Sequence, residues 1–246
     1  MSEVNKGNTI KVALLGNSGV GKSSIVLRYT SNEFNDNYLT TNVAAYTCKI
    51  IEKYGEKYQL DIWDTAGQEK FRAIGKNFYK DAYIVFLVYD ITLVKSFEDL
   101  KKIWYNELMN NGEKDPIIVI VGNKCDLYDE DEAVNEDDAR KYAKEINALF
   151  HLVSAKNGIG IEKLFNDTLE FYLKNNYPEK IKKINQERTS VKLDKKEHND
   201  NENENENGNE NENENGNENE NENGGQKEGG NKPSGKTKKK KKKNCC

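Results

Sequence analysis

Residues Gly16-Asn17-Ser18-Gly19-Val20-Gly21-Lys22-Ser23 constrain the chain more than any other stretch, because they allow one local architecture. The apolar run Ile10–Leu15 precedes them as a strand, and Ser24-Ile25-Val26-Leu27-Arg28-Tyr29 follows as a helix. Glycines at this spacing let the backbone turn its N–H groups inward around polyphosphate oxygens, and the helix N-terminus adds its positive end. Lys22 then reaches the terminal phosphates and the Ser23 hydroxyl is placed to ligate Mg²⁺. The segment from Gly16 to Ser24 is therefore expected to bind a nucleoside triphosphate.

Base identity follows from two later segments. Asn123-Lys124-Cys125-Asp126 closes the apolar run Ile117–Gly122, at the C-terminal end of a strand, where open α/β sheets place ligands. Guanine offers an N1–H and a 2-amino group side by side, and the Asp126 carboxylate accepts both; adenine lacks that donor pair. Ser154-Ala155-Lys156, after Leu149–Val153, resembles the matching base-binding loop, with the Ala155 N–H aimed at the guanine carbonyl. Asp64-Thr65-Ala66-Gly67-Gln68-Glu69 adds the hydrolytic chemistry. Asp64, at a strand end, is expected to hold the metal's water shell, and the Gly67 N–H to approach the γ-phosphate without a Cβ in the way. Gln68 orients the attacking water, since such hydrolysis depends on positioning and charge stabilisation. Thr41 is the second hydroxyl expected on the metal.

Together these residues resemble the Ras superfamily of small GTPases, and most closely its Rab branch, from Ile10 to Asn175. The Rab-like features are Trp63 to Ile74, Phe78-Tyr79-Lys80-Asp81-Ala82, Leu87-Val88-Tyr89-Asp90-Ile91-Thr92 with Ser96-Phe97, and the closing pair Cys245-Cys246. The resemblance implies that Phe34 packs on the guanine ring and that Tyr46, Trp63 and Phe78 form an aromatic effector triad. It also implies that Cys245 and Cys246 are doubly geranylgeranylated. The partners it implies are an exchange factor, a GTPase-activating protein, a GDP dissociation inhibitor, a Rab escort protein with geranylgeranyl transferase, and effectors; a nucleic acid is not among them. Vesicle traffic on the cytoplasmic face of an intracellular membrane, with cycling through the cytosol, is the implied role. Two departures stand out. Most Rabs carry Ile-Gly after the switch threonine where this chain has Asn42-Val43, while the Ala44-Ala45-Tyr46 ending resembles the early-endosomal subgroup. Ser18 stands where Ras has glycine, a small side chain compatible with hydrolysis.

Apolar runs at Ile10–Leu15, Tyr83–Tyr89, Ile117–Val121 and Leu149–Val153 alternate with helical patterns at Lys22–Tyr29, Ser96–Asn110, Asn135–Ile146 and Ile161–Asn175. That alternation predicts an α/β fold of right-handed βαβ units. Ala44–Glu52 and Lys57–Asp64, joined across Tyr54-Gly55, read as a hairpin. The expected sheet is six-stranded and mostly parallel with one antiparallel edge strand and helices on both faces. In the last helix Ile161, Leu164, Phe165, Thr168, Leu169 and Tyr172 form one core stripe. Pro178 marks its end.

The division expected is a short extension over 1–9, a GTPase domain over 10–176 and a tail over 177–246. From Asn199 to Asn223 the tail alternates Asn and Glu with occasional Gly, and such a segment has nothing to bury, so disorder is expected. Lys238–Lys243 then form an unbroken basic run before Asn244-Cys245-Cys246. The net charge of −4 averages an acidic spacer with this basic end. Beside the cysteines, the lysines favour an anionic membrane surface, each worth about 1 kcal/mol near the lipid. The CaaX and N-myristoylation patterns are absent, as are a signal-peptide pattern and an apolar stretch of spanning length. Cys48 and Cys125 are expected as free thiols, and His151 and His198 are too few for a Ser/His or Cys/His centre. The alternatives are a Ras-like signalling switch, disfavoured by Cys245-Cys246, a nucleotide-locked scaffold that hydrolyses nothing, disfavoured by Gln68, Thr41 and Gly67, and a P-loop kinase or motor ATPase, disfavoured by Asp126.

Overall fold

The computed structural model describes residues 8–36, 41, 44–65, 77–112, 115–128, 133–182 and 184. Six strands, β1 (Thr9–Leu15), β2 (Ala45–Lys53), β3 (Glu56–Asp64), β4 (Ile84–Asp90), β5 (Ile117–Asn123) and β6 (Leu149–Leu152), form one sheet in the order β2-β3-β1-β4-β5-β6. All neighbours are parallel except β2 and β3, whose antiparallel register runs from Ala45 opposite Asp64 to Lys53 opposite Glu56. The expected hairpin is present, with Tyr54 and Gly55 both at positive φ in its turn. A turn of this kind matches the twist of the strands it joins.

The helices are α1 (Lys22–Ser31), α2 (Val94–Asp99), α3 (Tyr105–Asn111), α4 (Glu136–Glu145) and α5 (Ile161–Asn176). Alternation along the strands divides the core into two layers. Val12 and Leu14 face α1 and α5 together with Ile25, Tyr29, Phe86, Phe165 and Leu169, while Ala13 and Leu15 face Phe97, Leu100, Trp104, Leu108, Ala139 and Ala143 on the opposite side. Covered on both faces, β4 buries all seven residues, which explains its unbroken apolar run. β2 lies at the edge and alternates exposed with half-buried residues along most of its length. The expected stripe on α5 is buried in full and extends to Leu173.

One expected helix differs from the sequence reading. The helix expected over Ser96–Asn110 is interrupted: Leu100–Trp104 make wider, π-type turns between α2 and α3. The last helix ends just before Pro178, as expected. α5 ends at Asn176, and residues 178–182 turn again, since proline is tolerated at the first helical position, where no N–H is needed. That extra turn inserts Ile181, 4% exposed, into the core. Among the described residues no helix is long and apolar enough to cross a membrane.

Candidate nucleotide site

Parallel strands deliver their C-terminal ends to one side of the sheet, and the residues that follow β1, β5 and β6 meet the end of β3 there. The loop after β1 wraps so tightly that only glycine fits at two positions. At Gly16 (φ +147°) an added Cβ would sit 2.2 Å from the Val88 carbonyl oxygen, and at Gly21 (φ +93°) 2.2 Å from Asn123 Nδ2. Gly21 caps α1, whose first turn carries no acidic residue and no side-chain cap. The leading N–H groups of the helix, from Lys22, Ser23 and Ser24, are thus left for an anion.

Lys22 folds back over this loop, donating to the carbonyls of Gly16 (2.9 Å) and Asn17 (3.0 Å). It is 5% exposed, and burial lowers its pKa to about 8, against the pull of Asp64. A buried ammonium facing carbonyls awaits a stronger anion, and a polyphosphate provides one.

Ser23 Oγ lies 2.6 Å from Thr41 Oγ1 and donates to Asp64 Oδ2, so the three residues expected on the metal converge from α1, the segment before β2 and the end of β3. Asp64 is 3% exposed, and its Oδ1 is buried with no hydrogen-bond partner among the described residues. Burial raises the pKa of Asp64, opposed by the Ser23 hydrogen bond and by Lys22. Two hydroxyls and an orphaned carboxylate oxygen beside a phosphate loop suit Mg²⁺, which takes few protein oxygens and fills its octahedron with water and phosphate. Thr65 fastens this corner by donating to the Leu14 carbonyl at 2.6 Å.

The base side is assembled by buried amide bonds. Asn123 Nδ2 donates to the Val20 carbonyl (2.8 Å) and ties the base loop to the phosphate loop. Ser154 Oγ donates to Asp126 Oδ1 at 2.6 Å, which orients the carboxylate and leaves lone pairs on both oxygens. Lys124 adopts a left-handed φ of 69° and pairs through Nζ with Asp90 Oδ2. The Ala155 N–H donates to Asn123 Oδ1 at 3.2 Å, so approach to a guanine carbonyl would share or replace that bond. Phe34 is partly buried against the α1/α5 core layer. Lys156 is exposed. Gly67 and Gln68, and with them the water-orienting role, lie outside the described residues, as do Asn42-Val43, the Asn/Glu repeat and Cys245-Cys246.

A model of the Ras family matches residues 11–174. The chain is 45% identical over 156 residues to Ras-related protein Rab-22A of Homo sapiens, covering 63% of this chain and 79% of the relative. Identity is again 45% over 156 residues, with the same coverage, to Ras-related protein Rab-31 of Rattus norvegicus. It is 43% over 159 residues to Ras-related protein Rab-21 of Bos taurus, covering 65% and 71%. The chain belongs to the Ras family of small GTPases, in its Rab branch. It is a Rab-type GTPase of vesicle traffic. GTPases of this superfamily bind GTP and GDP with Mg²⁺.

The three aromatics expected as this Rab's effector triad stand in one row. Tyr46 and Trp63 ring centroids are 5.1 Å apart, and Trp63 and Phe78 are 5.4 Å apart. Tyr46 is half exposed, and its hydroxyl donates to Asp61 at 3.0 Å. Three supporting residues escaped sequence reasoning. Arg28 of α1 donates to the carbonyls of Ala155 (2.8 Å) and Lys156 (2.7 Å) and so holds the base loop from below. Asp90 anchors Lys124, and Trp104 donates to Asn17. Each acts across a large sequence separation, so no local pattern announces it. Among the described residues Cys48 and Cys125 form no disulfide, Cys48 lying exposed and Cys125 buried.

Proposed function

We propose that this Rab binds GTP through the backbone of Gly16–Ser24 and Lys22, reads guanine with Asp126, and hydrolyses the γ-phosphate bond with water oriented by Gln68. The observation that carries this reading is the convergence of Ser23, Thr41 and Asp64, with a buried Asp64 oxygen that has no hydrogen-bond partner among the described residues, beside a lysine held over the phosphate loop. When bound there, Mg²⁺ would act as a Lewis acid that offsets the negative charge of the phosphates. Ser23 and Thr41 would offer it hydroxyl oxygens, and Asp64 would orient its water shell. Lys22 stabilises charge on the terminal phosphates, and Asn123 keeps base loop and phosphate loop in register. Thr41 and Gly67 respond to the γ-phosphate and so order the effector-facing loops in the GTP state.

The partner set is that of a prenylated Rab: an exchange factor, an activating protein, a GDP dissociation inhibitor, an escort protein with its transferase, and effectors meeting Tyr46, Trp63 and Phe78. Cys245 and Cys246 carry two geranylgeranyl chains, assisted by Lys238–Lys243, and the switch works on the cytoplasmic face of early-endosomal membranes. Kinship with Rab-22A, Rab-31 and Rab-21 supports that location.

Single-turnover release of phosphate from GTP and from ATP, with and without Mg²⁺, tests the enzymatic reading. Mg²⁺-dependent release from GTP alone is expected; retention of GTP without release would make the chain a scaffold. Imaging an N-terminally tagged copy against organelle markers tests the location.

A further inference from the structure

The side chain of Asn17 does not face the nucleotide space that its backbone lines. Its Oδ1 accepts from Trp104 Nε1 at 2.7 Å, and its Nδ2 donates to Asp99 Oδ2 at 2.8 Å. These partners settle the orientation of the amide, because an indole N–H can only donate and a carboxylate only accepts. Lys95 Nζ donates to the other Asp99 oxygen at 2.7 Å. Asp99 and Trp104 are both buried, and Lys95 is mostly exposed.

The wide turns of Leu100–Trp104 explain how two residues five apart reach one amide. In an unbroken α-helix such positions lie roughly 140° apart around the axis. Turns hydrogen-bonded from i to i+5 narrow that separation sharply, and the Tyr105 N–H indeed bonds the Leu100 carbonyl. The Asn17 carbonyl in turn accepts from Lys22 Nζ. A continuous path therefore leads from Lys95 on the surface, through Asp99 and Asn17, to the lysine that meets the phosphates.

We infer that Asn17, Asp99 and Trp104 form a latch that positions Lys22 for the phosphates beyond the first. The inference rests on the nucleotide-binding reading above. Asn17, Asp99 and Trp104 are positioning residues: they act on the nucleotide through the loop carbonyl and Lys22. The latch predicts a defect confined to the outer phosphates, because Lys22 is the group it positions and guanine is read by Asp126 on a separate loop.

The test measures release of N-methylanthraniloyl-GDP into excess GDP, and competition of GDP and GMP against that probe, on the full chain. Trp104→Phe removes the N–H and keeps the ring packing; Asn17→Asp keeps the acceptor for Trp104 and sets a second carboxylate against Asp99. Loss of one such bond should speed release about fivefold to tenfold. Both variants should weaken GDP binding, and Trp104→Phe, which lies outside the phosphate loop, should leave GMP binding as in the parent. The double variant Asn17→Asp with Asp99→Asn exchanges donor and acceptor and should return release to within about twofold of the parent. Parental release rates in Trp104→Phe and Asn17→Asp would overturn the latch. So would equal losses for GDP and GMP in Trp104→Phe, or a double variant no better than Asn17→Asp. If Asn17→Asp does not fold, the Trp104→Phe comparison of GDP with GMP decides alone. A parent chain that held no probe would overturn the nucleotide reading itself and the latch with it.

Discussion

At the scale of single residues, chemistry is assigned by what each group lacks. Asp126 has one hydrogen bond from Ser154 and room for more, which suits an acceptor of two guanine donors. Asp126→Asn should lower GTP affinity at least about a hundredfold, since two bonds to a charged group are lost. It should raise preference for XTP, whose carbonyl meets the new amide; side-by-side affinities check this. Gln68→Leu should bind GTP like the parent and release phosphate about tenfold more slowly, because the water loses its orienting group. A single-turnover assay reads it. Lys22 supplies a pH prediction. Its pKa is lowered to about 8 by burial, and bound phosphates favour the charged form. Below pH 8 the ammonium is already present. Above it, binding must take up a proton, so nucleotide affinity should fall as pH rises from 7 to 9, and titration with a fluorescent GDP across that range checks it.

Elements meet through a few groups that no single element contains. Lys53 at the end of β2 and Lys174 on α5 both pair with Glu170 of α5, at 2.8 and 2.7 Å. The hydrogen bonds from Lys174 and Lys53 hold the Glu170 carboxyl down from its usual 4.5 to about 2. A carboxylate with a depressed folded pKa stabilises the fold above its unfolded value and loses that contribution as pH falls through the folded one. Glu170→Gln should therefore melt slightly below the parent at pH 7, and the two melting curves should converge between pH 4.5 and 2. The effect is small because the pair is partly solvated. The interrupted helix belongs to this scale too. Phe97, Leu100, Trp104 and Leu108 are spaced like one helical stripe, and all four are buried. Apolar spacing therefore marked the segment as helical but was blind to the wider turns, which serve a polar contact with Asn17.

For the whole molecule, the proposed membrane attachment is the part most exposed to a direct test. Each buried CH₂ of a lipid chain contributes about 0.8 kcal/mol, so two isoprenoids outweigh six lysines at about 1 kcal/mol each. Replacing Cys245 and Cys246 by Ser should make the protein soluble with nucleotide binding intact. Replacing Lys238–Lys243 by Gln should only weaken attachment. Fractionation at low and raised salt separates the two, and a Cys→Ser protein still bound at raised salt would refute the lipid anchor.

Local order determined much of this protein before any folding was considered. The glycine spacing from Gly16 to Gly21, the alternation of strand and helix, and the motifs ending at Asp64, Asp126 and Lys156 were legible because each is a contiguous pattern with its own steric or hydrogen-bonding reason. The order β2-β3-β1-β4-β5-β6 and the meeting of Ser23, Thr41 and Asp64 belong to the tertiary structure. So do the grip of Arg28 on the Ala155 and Lys156 carbonyls and the bonds from Asp99 and Trp104 to Asn17. These contacts join residues up to 128 positions apart, and such separations are bridged only when buried strands and helices bring the chain back on itself.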